Sequence, residues 1–297
     1  MEGIIMTKEE RSALISIPII LVVGAGIALA GSQSSVAVSG IPLFALCVAL
    51  AFVIQWIVFI PSFIAKTEKY FDLTGGITYI TVVAVAVALS PRVDGRALLL
   101  LALVCIWAVR LSGFLFMRIR KAGEDRRFRD LKTSLLRFLL TWTLQGLWVT
   151  FSLAAALAAI TSEVRVGLGF FALAGFLVWL LGFGIEAISD GQKSKFKANP
   201  ENEGKFISSG LWSWSRHPNY FGEIVLWIGV AIIALPVLQG WQWLMLISPV
   251  FITLLLTRIS GVPMLEERAD KKWGGQEDYE TYKGATSVLI PWPPKGK

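Results

Sequence analysis

Long apolar runs constrain this chain more than any other feature. Eight stretches, at approximately 13–30, 41–63, 73–90, 97–117, 136–160, 166–188, 219–236 and 241–258, approach the roughly 20 residues of helix that a bilayer core demands. In hydrocarbon every backbone N–H and C=O must be paired within the segment, so runs of this length form helices. The composition agrees, with 55% hydrophobic residues, 16% charged residues and a mean hydropathy of +0.65. The expected architecture is all-α: a polytopic integral membrane helical bundle of about eight transmembrane helices, seven possible if the first is merged or dropped, with no soluble domain. Leu14 to Ala30 reads as a retained first span, because no small-residue cleavage pattern follows it.

Basic residues supply an orientation. With eight spans, both ends and alternate loops share one side, and all but four of the 28 Lys and Arg fall there. Arg92, Arg96 and Arg165 lie on the other side, and Arg110 lies within a span. Both termini are therefore expected in the cytoplasm, at the inner membrane if the chain is bacterial. The net charge of +7 then reflects cytoplasmic loops facing anionic membrane lipids and gives no reason to expect nucleic acid. Cys47 and Cys105 sit in apolar runs as small hydrophobes, and with a single histidine the chain has too few ligands for a metal site. Gly182 to Ala187 and Gly167 to Ala172 both match G-x-G-x-x-A, but neither follows a strand, so they read as helix-packing residues.

One polar connection stands out. Residues 210–223 carry Arg216, the lone His217, Asn219, Tyr220 and Glu223, and Pro218 fits the first turn of a helix. The helix start would point free amides at Arg216 and His217, and Asn219 and Glu223 would share a face at i, i+4. The alternative is a polar loop that only caps a span. Ionisable residues inside spans mark sites by default, because burying a charge in lipid is costly. Arg110 lies mid-span with Arg118 two turns on, Glu186 and Asp190 are spaced i, i+4 near the end of the sixth span, and Asp72 opens the third. Asp72 reads equally well as a helix cap. Together with Lys193, Lys197 and Glu266, these groups combine carboxylates for ribose hydroxyls with cations for phosphates.

The motifs Glu186-Ala-Ile-Ser-Asp190-Gly-Gln-Lys193, Arg216-His-Pro-Asn-Tyr-Phe-Gly-Glu223 and Gly261-Val-Pro-Met-Leu-Glu-Glu-Arg268 resemble the steroid 5α-reductase-like membrane proteins of an uncharacterised bacterial branch. Thr143-Leu-Gln145-Gly146 is similar to a step of the same enzymes. Sterol reductases and isoprenylcysteine carboxyl methyltransferases share parts of the pattern. The resemblance implies N-terminal transmembrane helices over 1–70 and a reductase-like membrane domain over 71–297, whose cytoplasmic loops hold NADPH. It implies a lipophilic substrate entering from the bilayer and hydride delivery to an activated C=C. It places Asn219 and Glu223 at the nicotinamide, and Asp190 and Lys197 at cofactor-binding positions. Glu186 falls where the reductases carry asparagine. Phosphate candidates are Arg110, Arg118, Lys193, Lys197 and Arg216. Asp72 falls at the catalytic glutamate and Trp107 at the catalytic tyrosine. An indole donates a hydrogen bond but is no proton donor near neutral pH, so the acid falls to Asp72, a water, Glu68, Tyr70 or Tyr79. The alternative chemistry is methyl transfer from S-adenosylmethionine to a lipid-borne nucleophile, using Arg216, His217, Tyr220 and Glu266; a lipid carrier without catalysis is the third reading.

Overall fold

The computed structural model describes residues 6–294, apart from the side chains of residues 121, 122 and 126. The outer ends of the two expected domains, at Met1 and Lys297, lie outside the described residues. Among those described, eight helices are long and apolar enough to cross a membrane. The chain divides into two compact units, one of Met1–Gly169 with Ala234–Ile247 and one of Phe170–Ile233 with Ser248–Lys297. The boundary expected at residue 70 falls inside the first of these.

The first unit contains α1 (Lys8–Ser32), α2 (Leu43–Ile64), α3 (Phe71–Leu89), α4 (Gly95–Ala122) and α5 (Leu135–Thr161), with a two-stranded hairpin, Ala37–Val38 against Ile41–Pro42, between α1 and α2. Thr7 starts α1 with a reciprocal cap, its hydroxyl accepting from the Glu10 amide at 3.2 Å while Glu10 accepts from the Thr7 amide at 3.1 Å. Asp94 caps α4 through the Ala97 amide at 2.8 Å. The run Leu153 to Ile160 of α5 is wholly buried, because its alanines let neighbouring helices approach. Phe52 of α2 lies against Gly24 of α1 and Gly146 of α5, where a methyl on Gly146 would sit 2.9 Å from its ring. Polar pairs tie the helices: Gln55 Nε2 donates to Thr78 Oγ1 at 2.8 Å and Trp56 Nε1 to Thr143 Oγ1 at 3.1 Å.

The second unit is built on α6 (Phe170–Ala198) and α7 (Pro218–Ala234). Glycines at heptad spacing on both helices bring the backbones together. A methyl on Gly175 would stand 2.6 Å from the Gly229 carbonyl, and one on Gly182 would stand 2.6 Å from the Gly222 carbonyl. The contacts run in opposite chain directions, so the helices are antiparallel. Gly182 is thus a packing residue as expected, but Gly184, Gly167 and Gly169 are not: a side chain at any of them would meet open space.

Two further expectations change. The sixth helix does not stop near residue 188 but continues to Ala198, so Asp190, Lys193 and Lys197 are helical residues and not loop residues. The last span is irregular, with a tight 3-10 stretch Gly240–Leu246, then α8 (Ile247–Leu254) and a π-helical turn Leu255–Ile259. Gly261 then turns the chain where a methyl would lie 2.2 Å from the Leu256 carbonyl. Beyond it come α9 (Val262–Trp273) and α10 (Glu277–Ala285), and a tail without helix or strand follows.

Candidate functional site

The glycine seam decides which side chains meet. Since Gly222 packs on the backbone of Glu186, the next turn of α6 carries Asp190 to the first turn of α7, where Asn219 Nδ2 donates to Asp190 Oδ1 at 3.2 Å. Glu186 and Asp190 are both buried. Glu223 is one turn on from Asn219 and half-buried. α7 begins at Pro218, as the proline predicts. This set of two buried carboxylates, an amide and a third carboxylate offers the acceptors and donors that ribose hydroxyls and a carboxamide require, so the residues present fit that part of a nicotinamide nucleotide.

Arg216 and His217 do something else. Arg216 Nη2 pairs with Glu266 Oε2 at 2.7 Å, Nε donates to Oε1 at 3.3 Å, and Nη1 donates to the carbonyls of Lys283 at 2.6 Å and Thr286 at 3.3 Å. His217 Nε2 meets Glu266 Oε1 at 2.7 Å, and its ring stacks on Tyr220 with centroids 5.8 Å apart. The Arg216 guanidinium is therefore committed to Glu266 and to the tail, which leaves little of it for a phosphate. The tail is held along the same loop: the Arg216 amide donates to Ser287 O at 2.8 Å and Ser215 Oγ to Leu289 O at 2.7 Å. Tyr282 Oη donates to Trp212 O at 2.7 Å. Burial raises the Tyr282 phenol above its usual range, and burial followed by the Asp270 carboxylate does the same to Tyr279. Lys193 lies 4.3 Å above the Trp212 ring, and Lys197 is exposed.

Sequence reasoning placed Arg216 and Glu266 in one cluster but missed the carbonyls that Arg216 binds, and it missed Tyr282 and Gln192 as structural partners. Gln192 Oε1 accepts from the Leu211 amide at 3.0 Å beside Gly210, whose φ of +63° suits glycine. No spacing rule links positions so far apart in the chain.

The remaining candidates belong to the first unit. Asp72 lies in the first turn of α3, half-buried, with Arg127, Arg118 and Asp125 as its charged neighbours. Gln145 reaches the same turn, Nε2 donating to the Phe71 carbonyl at 3.1 Å, and Gly75 makes room for it. Tyr79 is seven residues on from Asp72, on the same helix face, and packs edge-on against buried Trp107 with centroids 5.0 Å apart. Glu68 is engaged elsewhere: Oε2 pairs with Lys132 at 2.7 Å and Oε1 accepts from the Asp125 amide at 3.0 Å. Tyr70 is exposed and stacked on Phe116. Burial would raise the Asp125 carboxyl, but its hydrogen bonds with Arg127 outweigh this and hold it below the usual range. Arg110 is half-buried and Arg118 exposed. No group of His, Cys, Asp and Glu able to hold a metal occurs among the described residues.

Comparison with known proteins adds a family. The family described as "Protein of unknown function (DUF1295)" matches residues 58–286. The chain is 30% identical over 121 residues to 3-oxo-5-alpha-steroid 4-dehydrogenase 1 of Rattus norvegicus, covering 40% of this chain and 41% of that protein. The Bos taurus protein of the same name is 28% identical over 120 residues, 40% of this chain and 41% of that protein. The probable O-methyltransferase ustE of Ustilaginoidea virens is 32% identical over 98 residues, 33% of this chain and 32% of that protein. The chain thus spans about two-fifths or less of the length of these curated relatives. No solved structure matches it.

Proposed function

We propose a membrane reductase, on the premise that the chain belongs to the DUF1295 family and is steroid 5α-reductase-like. The proposed reaction is reduction of an activated C=C, conjugated to a carbonyl, in a lipophilic steroid- or isoprenoid-like substrate drawn from the bilayer. The observation that carries the reading is the joining of buried Asp190 to Asn219 across the α6–α7 seam, with Glu186 and Glu223 alongside. Bound NADPH would supply the hydride that reaches the β-carbon of the enone. Asp190 and Glu186 accept from ribose hydroxyls, Asn219 and Glu223 orient the nicotinamide carboxamide, and Lys197 faces a phosphate. Asp72 gives its proton to the carbonyl oxygen, leaving an enol that tautomerises to the saturated ketone. Tyr79, further along the same helix face, and Trp107, packed edge-on against it, contact the substrate in this reading. Both termini face the cytoplasm in this reading.

The fungal relative supports one other reading, methyl transfer from S-adenosylmethionine. The engagement of Glu266 by both Arg216 and His217 weighs against it, because that cluster is already committed to holding the tail. The test incubates the purified protein in lipid with NADPH and a panel of lipophilic enones and follows NADPH consumption. The reductase reading expects saturated product, with Asp72→Asn losing turnover while retaining the cofactor. No consumption, together with transfer of a labelled methyl group from S-adenosylmethionine to lipid, would overturn it.

A further inference from the structure

The tail after α10 has an inverted outer face. Residues 287–292 fold over the loop before α7, with Ser287 pairing in parallel with Ser215 and the Trp292 amide donating to the Trp214 carbonyl at 3.0 Å. Its apolar side chains are largely outside the fold, with Val288, Ile290 and Trp292 42%, 61% and 68% exposed and Leu289 half-buried. Trp214, 46% exposed, stands beside Trp292 and only four residues before α7 enters its membrane span. A water-facing strap would carry the opposite pattern, since contiguous exposed apolar surface marks a contact. Tryptophan is the residue type that settles at the boundary between headgroups and acyl chains.

We infer that this strap is an interfacial anchor, with Trp214, Val288, Ile290 and Trp292 seated in the headgroup layer of the membrane that α7 crosses. The occupant follows from position: the patch is continuous with the start of a membrane span, where a lipid surface is already present. The consequence is that the loop bearing Arg216 and His217 is fixed at the depth of the bilayer surface from below by α7 and from the side by the strap. The inference is independent of the reductase reading.

The test uses the full chain with Cys47 and Cys105 changed to alanine, reconstituted in phosphatidylcholine–phosphatidylglycerol nanodiscs. An environment-sensitive fluorophore is attached at Ile290→Cys, with Glu267→Cys on exposed α9 as the water-facing control. The anchor predicts blue-shifted emission at position 290, most of it lost to shallow spin-labelled lipid and little to aqueous iodide, with the reverse at 267. Trp214→Ser with Trp292→Ser should shift the 290 emission to the red. Quenching at 290 by iodide, as at 267, would overturn the inference. Protection of 290 from both quenchers would also overturn it, since a second copy of the chain would then cover the patch.

Discussion

Replacing Glu266 by alanine should release the tail. The carboxylate receives Arg216 Nη2 at 2.7 Å, Arg216 Nε at 3.3 Å and His217 Nε2 at 2.7 Å, and all three side chains are less than a fifth exposed. Removing the acceptor leaves the guanidinium with only the Lys283 and Thr286 carbonyls, and it leaves the imidazole without the partner of Nε2. Breaking a buried pair from one side costs about 3–5 kcal/mol. The two retained carbonyl bonds place the expected value near the lower end, about 3 kcal/mol, or roughly a hundredfold in a local opening equilibrium. Hydrogen–deuterium exchange in nanodiscs reads this directly, as faster exchange of peptides covering 283–292 at unchanged exchange in α5. Lys271→Ala, which breaks only the exposed pair with Glu267, should leave the tail as it was. If Arg216 instead served a phosphate and Glu266 were incidental, Glu266→Ala would leave tail exchange unchanged and tighten anion binding. That result would refute the clasp.

Three other outcomes follow from the same geometry. Gly222→Val places new atoms against the Glu186 backbone, where a methyl already lies 2.6 Å from its nitrogen, so it should cost about 1–3 kcal/mol by overpacking and lower the thermal midpoint in detergent; Gly184→Val, with open space, should not. Tyr279 and Tyr282 have raised phenol pKa values, so the unfolded chain loses these protons first as pH rises past the ordinary value of 10.0; the stabilisation is whole below that value and falls away above it, and Tyr282→Phe should reduce the alkaline loss. Gln145→Leu removes the donor to the Phe71 carbonyl beside Asp72, so turnover of an enone should fall while NADPH affinity holds.

Hydropathy made the membrane spans legible, because bilayer thickness sets a length that apolar runs must match. Pro218 likewise marked the start of α7, and the i, i+4 spacing of Glu186 and Asp190 placed both on the buried face of α6. The same signal misled at the end of α6, since hydropathy records where lipid stops and not where the helix does; residues 189–198 carry lysines and serines that a solvated helix accepts. Arg216 illustrates a different limit. A basic residue before a helix start reads as an anion site, yet its partners lie about fifty to seventy positions downstream, at Glu266, Lys283 and Thr286, and only the fold brings them together. The Asp190–Asn219 bond depended on the glycine register, which a list of small residues does not specify.

Equilibrium binding of NADPH to the reconstituted protein, followed by nicotinamide fluorescence, tests the central claim most directly. Saturable binding that weakens by about tenfold or more in Asp190→Ala, equivalent to roughly 1.4 kcal/mol, is the predicted result. Absence of saturable NADPH binding, with S-adenosylmethionine bound in its place, would contradict it.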